Sequence, residues 1–181
     1  MKLLLHTCCG PCTIYPLHVL QAQHHDVTGF FYRSNIHPLT ECLKRQEALE
    51  TYARSMDLKV ILEEAYDLEG FLRRSVFREA DRCRVCYHSR LEATAHLARK
   101  GKFDSFSTTL LYSKYQRHDD IKSIGEAMGR SAGIPFYYQD FRQGWKEGIK
   151  VSKDLGMYRQ QYCGCIYSEK ERYLKDDSFK P

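Results

Sequence analysis

The chain has no apolar run approaching the roughly 18 residues of a membrane span, which speaks against a helical membrane protein. It also lacks an internal repeat, a linker and any low-complexity segment, so neither a disordered chain nor a repeat array is indicated. The opening residues, Met1–His6, turn polar too soon for a secretory leader, and the expected location is the cytoplasm, a reducing compartment. A glycine-rich phosphate loop is missing after the first predicted strand, where a nucleotide-binding α/β domain carries one. With 181 residues, 43% hydrophobic and 28% charged, the chain is long enough to bury one core without disulfide staples.

What it does have is eight cysteines: Cys8, Cys9, Cys12, Cys42, Cys83, Cys86, Cys163 and Cys165. In a reducing compartment clustered cysteines point first to metal ligation or redox chemistry. The net charge of +5 is unevenly spread. Residues 73–102 hold nine Lys/Arg against Glu79, Asp81 and Glu92, while residues 39–69 are acidic. A segregated basic segment suits a polyanion such as RNA, and equally a solvated helix face.

Hydrophobic periodicity predicts strands at Lys2–Thr7, Asp26–Tyr32, Lys59–Leu62, Phe103–Thr109 and Pro135–Tyr138. Helices are predicted at Tyr15–Gln23, Leu39–Met56, Leu68–Val76, Val85–Arg99 and Asp119–Arg130, with helix and loop over Asp140–Tyr167. The clearest is Leu39–Met56, where Leu39, Cys42, Leu43, Leu49, Tyr52, Ala53 and Met56 share one face. The tail, Lys175–Pro181, is polar and expected to fray. Alternating strands and helices predict a single α/β domain over residues 1–181: a mostly parallel, Rossmann-like sheet of about five strands, flanked by helices, with a helical C-terminal part. The working site of such a sheet lies beyond the carboxyl ends of its strands. Here the first strand ends in Thr7-Cys8-Cys9-Gly10, so thiols stand where a phosphate loop would.

Three cysteine pairs carry the chemistry. Cys8 and Cys9 lie at a strand-to-helix turn, where the broken pleat lets adjacent sulfurs converge and the helix N-terminus favours thiolate. In Cys83-Arg-Val-Cys86 two sulfurs three apart at a helix start can bind one centre. Cys163-Gly164-Cys165 can form a strained, labile disulfide or chelate a metal. Cys42, on an apolar helix face, reads as core. All-thiolate ligation drawn from distant segments favours an iron–sulfur centre over hydrolytic zinc. Cys9-Gly10-Pro11-Cys12 also spells a thioredoxin-type dithiol, though no strand–helix unit precedes it and it leaves the other pairs unexplained. His6, His37 and His88 read as structural histidines rather than ligands.

Together these segments resemble the cobalamin-independent epoxyqueuosine reductases, the QueH family. They are His6-Thr7-Cys8-Cys9-Gly10-Pro11, Asn35-Ile36-His37-Pro38 with Glu41 and Arg45, and Cys83-Arg-Val-Cys86. Ser107–Leu111 with Tyr115-Gln116, Asp140-Phe141-Arg142 with Gly144-Trp145, and Tyr158–Cys165 complete the set, in order along nearly the whole chain. The resemblance implies reduction of epoxyqueuosine to queuosine at the tRNA wobble position, by a [4Fe-4S] cluster with a second redox element and without cobalamin. On that reading Cys8, Cys9, Cys83 and Cys86 hold the cluster. Cys163 and Cys165 supply the second electron, or with Cys12 hold an additional iron. Asp140, Tyr112 or Tyr115 donates a proton, and Tyr87, Tyr112 or Tyr115 stacks a base. The partners implied are tRNA carrying epoxyqueuosine and a low-potential electron donor, with no membrane. Two alternatives stay open: a thioredoxin-like reductase using Cys9 and Cys12, and a non-catalytic metal-bearing RNA-binding module.

Overall fold

Three consecutive leucines start the fold. In the computed structural model, which describes residues 1–174, Leu3, Leu4 and Leu5 of strand β1 (Lys2–Thr7) are all fully buried. A strand apolar on both faces must lie inside a sheet covered on both sides. β1 accordingly pairs in parallel with β2 (Asp26–Phe31) on one edge and β4 (Ser105–Thr108) on the other, and β3 (Val60–Leu62) pairs in parallel with β2. Each of the three leucines contributes about 2 kcal/mol by removal from water.

The sheet order is β3-β2-β1-β4. The chain moves outward from β1 to β3, then crosses to the other side of β1, so the order reverses between β1 and β4. That reversal is the position where doubly wound sheets open a crevice beyond their carboxyl ends. The expected fifth strand is reduced to a single bridge, Phe106 opposite Phe136. The Phe106 N–H donates to Pro135 O and Tyr137 N–H donates to Phe106 O, but Pro135 has no N–H to extend the ladder.

The first three helices are α1 (Gly10–Ala22), α2 (Leu39–Ser55) and α3 (Leu68–Ser75), followed by α4 (Arg82–Lys100) and α5 (His118–Ala132). After the 3-10 turn Thr109–Tyr112 and the loops beyond α5 come α6 (Trp145–Asp154) and α7 (Ile166–Tyr173). Helix α1 packs with α2 and α6, while α4 packs with α5, β1 and β4. No described helix is long and apolar enough to cross a membrane. The tail over 175–181 lies outside the described residues.

Helix α2 departs from its apolar pattern. Leu39, Leu43 and Met56 are exposed, and the buried face holds Glu41 and Arg45 beside Cys42, Leu49, Tyr52 and Ala53. The helix is rotated so that an ion pair, Arg45 Nε to Glu41 Oε1 at 2.7 Å, enters the interior in place of two leucines. Arg45 then donates from its two terminal nitrogens to the carbonyls of Tyr162 (2.9 Å) and Cys163 (2.8 Å). The site below depends on that choice. Cys42 is core as expected, packed in a small cluster with Phe31, Ile36 and Leu49.

Candidate metal and redox centre

The carboxyl end of β1 turns directly into α1. Cys9 is the N-cap, and its sulfur accepts the Cys12 N–H at 3.4 Å. Pro11 at the start of the helix has no N–H to leave unpaired. The turn brings Cys8, Cys9 and Cys12 together, with their sulfurs all within 4.8 Å of one another and all three residues buried. Cys8 Sγ lies 3.9 Å from Cys9 Sγ, and Thr109, at the end of the neighbouring β4, donates its hydroxyl to Cys8 Sγ at 3.4 Å. The sulfur pair therefore sits astride the point where strand order reverses. Hydrogen bonds from Cys12 and Cys9 draw the Cys8 thiol below its ordinary range. From above, Gln160 Nε2 reaches Cys9 Sγ (3.0 Å) and Cys12 Sγ (3.4 Å).

A second thiol group stands beyond Arg90. Cys83 and Cys86 occupy the first turns of α4, and the thiol of Cys83 is pushed up first by burial and then by Cys86, with Cys165 also contributing. The side-chain N–H groups of Arg90 and Asn35 donate to Cys86 Sγ at 3.2 and 3.3 Å, and Asn35 Oδ1 is buried without a donor. Cys163 Sγ accepts from Gln116 Nε2 at 3.3 Å, and Tyr87 OH donates to Gln116 Oε1 at 2.8 Å. Cys165 Sγ turns instead toward Ser168 Oγ, and all eight cysteines are free thiols.

Arg90 links the two groups. It is 3% exposed, and its guanidinium meets Cys86 Sγ, His6 Nε2 (3.1 Å) and Asn35 O (3.3 Å) rather than a carboxylate. Burial works against its charge, but negative charge on Cys86, then on Cys8 and Cys163, outweighs burial and holds it above its usual value. A buried cation is stabilised by electron-rich groups close by, and the hydrogen-bond partners of this guanidinium are a sulfur, an imidazole nitrogen and a carbonyl oxygen. His6 is kept neutral, its pKa lowered to about 3 by burial and by Arg90. Since Nε2 accepts from Arg90, Nδ1–H donates to Thr108 Oγ1 at 2.8 Å. His6 is thus a relay in the wall, not a ligand. His37 is likewise structural: its ring accepts the Ile166 N–H and contacts Ser34 O.

The segment carrying Cys163 is strapped down by main-chain contacts. His37 N–H donates to Gly164 O at 2.7 Å and Tyr162 OH to His37 O at 2.6 Å, in addition to the Arg45 clamps. Gly164 has φ +153°, a conformation that favours glycine between the two cysteines.

Between the trio and this segment opens a cavity of about 810 Å³, lined by Cys8, Cys12, Tyr112, Gln160 and Cys163, with Trp145 and Tyr115 toward its mouth. Tyr112 OH donates to Trp145 O at 3.0 Å, a contact possible because residue 148 is glycine: a Cβ there would lie 2.3 Å from the phenol oxygen. Burial, with Cys12 and Cys9 nearby, pushes the Tyr112 phenol up, so it keeps its proton. Asp140 does not line the cavity; both its oxygens are bound by the Arg142 side chain, which holds its carboxyl below the usual range. Of the tyrosines expected to stack a base, Tyr87 and Tyr112 are buried at 3% and 2%, while Tyr115 is 76% exposed.

Residues 3–171 match the protein family described as "Epoxyqueuosine reductase QueH". The chain belongs to the QueH family. A relative from Dehalococcoides mccartyi named "Epoxyqueuosine reductase QueH" is 37% identical over 98% of this chain and 97% of its own length. One of the same name from Thermotoga maritima is 38% identical over 95% of this chain and 92% of its own. Among solved structures, a predicted subunit of a tRNA methyltransferase from Methanocaldococcus jannaschii superposes with TM-score 0.59 at 9% identity, covering 84% of this chain and 76% of that one. That likeness concerns the fold alone.

Within the QueH fold the trio of Cys8, Cys9 and Cys12 forms the ligand-spaced group among the described residues. Cys12 stands with Cys8 and Cys9 in that group. Cys86 meets the guanidinium of Arg90 directly, and Cys83 lies one helical turn before it. Arg90 is hidden in the sequence inside the basic run; its four-residue offset from Cys86 on one helix face is the signal that marks it.

Proposed function

We propose that this QueH chain reduces the epoxide of epoxyqueuosine in tRNA to the alkene of queuosine, in the cavity between Cys8, Cys12 and Cys163. In the reaction both C–O bonds of the epoxide break, a C=C bond forms, and the oxygen leaves as water with two protons. Two electrons enter from a low-potential one-electron donor. A tRNA substrate places the work in the cytoplasm.

One observation carries the reading: a cavity in a QueH chain is lined by buried thiols, and a buried arginine donates to the sulfur of Cys86 beside it. The donor set is soft and holds no carboxylate or imidazole, which fits iron with sulfide rather than a hard cation. Cys8, Cys9 and Cys12 would hold an iron–sulfur cluster, with Cys83 and Cys86 as the further thiols. When bound, such a cluster supplies electrons one at a time and an iron able to act as Lewis acid.

The chain's own groups do the rest. Gln160 orients Cys9 and Cys12, and Arg90 balances the thiolate charge. Cys163 and Cys165 supply the second redox element, as a dithiol oxidised to a disulfide with release of two electrons and two protons, or as ligands of an additional iron. Tyr112, protonated and facing the cavity, delivers a proton to the leaving oxygen. Asp140 is a poor donor for that role, because Arg142 keeps it ionised. A thioredoxin-like dithiol reductase is disfavoured, since Cys9 is 1% exposed and covered by Gln160, where a disulfide partner cannot reach it.

The test is anaerobic purification with iron and sulfide counts, followed by nucleoside mass analysis of epoxyqueuosine tRNA under a low-potential reductant. A brown protein that removes one oxygen from the nucleoside is expected. A colourless, zinc-only protein overturns the cofactor, and an unchanged nucleoside mass with an intact cluster overturns the substrate.

A further inference from the structure

The three arginines of the basic run nearest Cys83 and Cys86 are already engaged. Arg82 pairs with Glu171, Arg84 with Asp120, and Arg90 is buried. A second group of positive charge gathers at the cavity. Lys114, Arg159 and Arg172 all line it, and none forms an ion pair among the described residues.

Two aromatic rings stand among these cations. Trp145 is backed by the buried Tyr112 ring at 5.2 Å and met edge-on by Tyr115 at 5.6 Å and 85°. Tyr115 keeps 76% of its surface in solvent, so its own packing does not account for its place. Lys114 Nζ lies 5.1 Å from the Tyr115 ring and 5.6 Å from the Trp145 ring, a cation against aromatic faces.

An exposed ring supported by a second ring, with free cations within reach, is how proteins hold single-stranded nucleic acid: bases stack on the aromatics while cations meet the phosphates. We infer that Tyr115 and Trp145 form a stacking subsite for an unpaired RNA base next to the one that enters the cavity, and that Lys114, Arg159 and Arg172 hold the flanking phosphates. Duplex RNA, whose bases are already stacked, does not satisfy the subsite. The inference rests on the reading of the cavity as the site of a modified tRNA nucleotide, but it concerns binding and is tested without turnover.

The experiment is fluorescence anisotropy of the purified protein with a 17-nucleotide anticodon stem-loop bearing an ordinary guanosine at the wobble position, against a duplex of equal charge. Wild type should prefer the stem-loop. Tyr115→Ala should weaken stem-loop binding by about tenfold or more, the loss of one stacked base, while Tyr115→Trp retains it. Lys114→Gln should weaken it and lower the salt slope by about one counterion. Equal binding of loop and duplex, or a Tyr115→Ala protein that binds as wild type does, overturns the subsite whatever the enzyme catalyses. Tyr115-dependent RNA binding with no epoxide reduction would keep the subsite and reject the reaction.

Discussion

Arg90 donates its Nε–H to the sulfur of Cys86 across 3.2 Å, and with its remaining nitrogens it grips His6 and the Asn35 carbonyl. The guanidinium thus joins strand β1, the loop after β2 and helix α4 around one buried charge. Replacing Arg90 by Gln should cost about 3 kcal/mol in unfolding free energy, the usual penalty for breaking a buried charge pair. It should also lower the iron content or the cluster's midpoint potential, because a fixed positive charge favours the more reduced centre. Lysine should recover part of the potential but not the fork of contacts. Thermal melts, iron counts and an EPR-monitored redox titration decide; a Gln variant equal to wild type in all three would remove Arg90 from the centre.

Gln160 holds two sulfurs with one amide nitrogen, at 3.0 and 3.4 Å. Gln160→Ala should leave the fold intact and reduce iron retained after desalting. Gln160→Glu should reduce it further, by setting a carboxylate against thiolates. The check is iron and acid-labile sulfide per chain. Cys8 and Cys9 are spaced at 3.9 Å, near the edge of a sulfur tetrahedron around one ion with bonds of about 2.3 Å. The count therefore also separates a cluster, at about four irons, from a single bound ion.

Tyr112→Phe removes one hydroxyl and its bond to Trp145 O. If the phenol protonates the leaving oxygen, epoxide reduction should fall by about 100-fold with cluster content unchanged. Single-turnover assays that follow nucleoside mass measure it. A Phe variant within a factor of two of wild type would return Tyr112 to a packing role.

Arg45 serves the Cys163 segment through the backbone. Arg45→Met should strand Glu41 in the interior and cost about 3 to 5 kcal/mol. Arg45→Lys should keep much of the charge pairing and lose the two carbonyl clamps. The lysine variant is therefore the informative one: melting close to wild type, but activity reduced and Cys163 alkylated faster by iodoacetamide. Unchanged alkylation would mean that the clamps do not hold the segment in place.

Much of this was legible in the sequence, for local reasons. β1 was found from end to end because its apolar run is bounded by a turn, and helix α2 because its period is strong. The same period misplaced the buried face of α2: Leu39 and Leu43 fit an apolar stripe, and nothing local says that Glu41 and Arg45 pair with each other and reach a loop more than a hundred residues away. Pro135–Tyr138 has the composition of a strand, but strand formation depends on a neighbour's ladder, which Pro135 cuts short. The cysteine pairs were visible as pairs. That Cys12 joins Cys8 and Cys9, and that Arg90 donates to Cys86, was not, because both depend on burial set by the whole fold.

At Cys163 and Gly164 the strap touches only main-chain carbonyls, while Tyr162 is held through its carbonyl, its hydroxyl and its ring. Its grip is indifferent to the side chains at 163 and 165, so long as Tyr162 is kept and position 164 tolerates its backbone angle. The cavity wall is accordingly a replaceable panel in a fixed frame. Positions 163 and 165 can be exchanged for serine, histidine or selenocysteine without moving the loop, which lets the redox character of the wall be altered while its shape is kept.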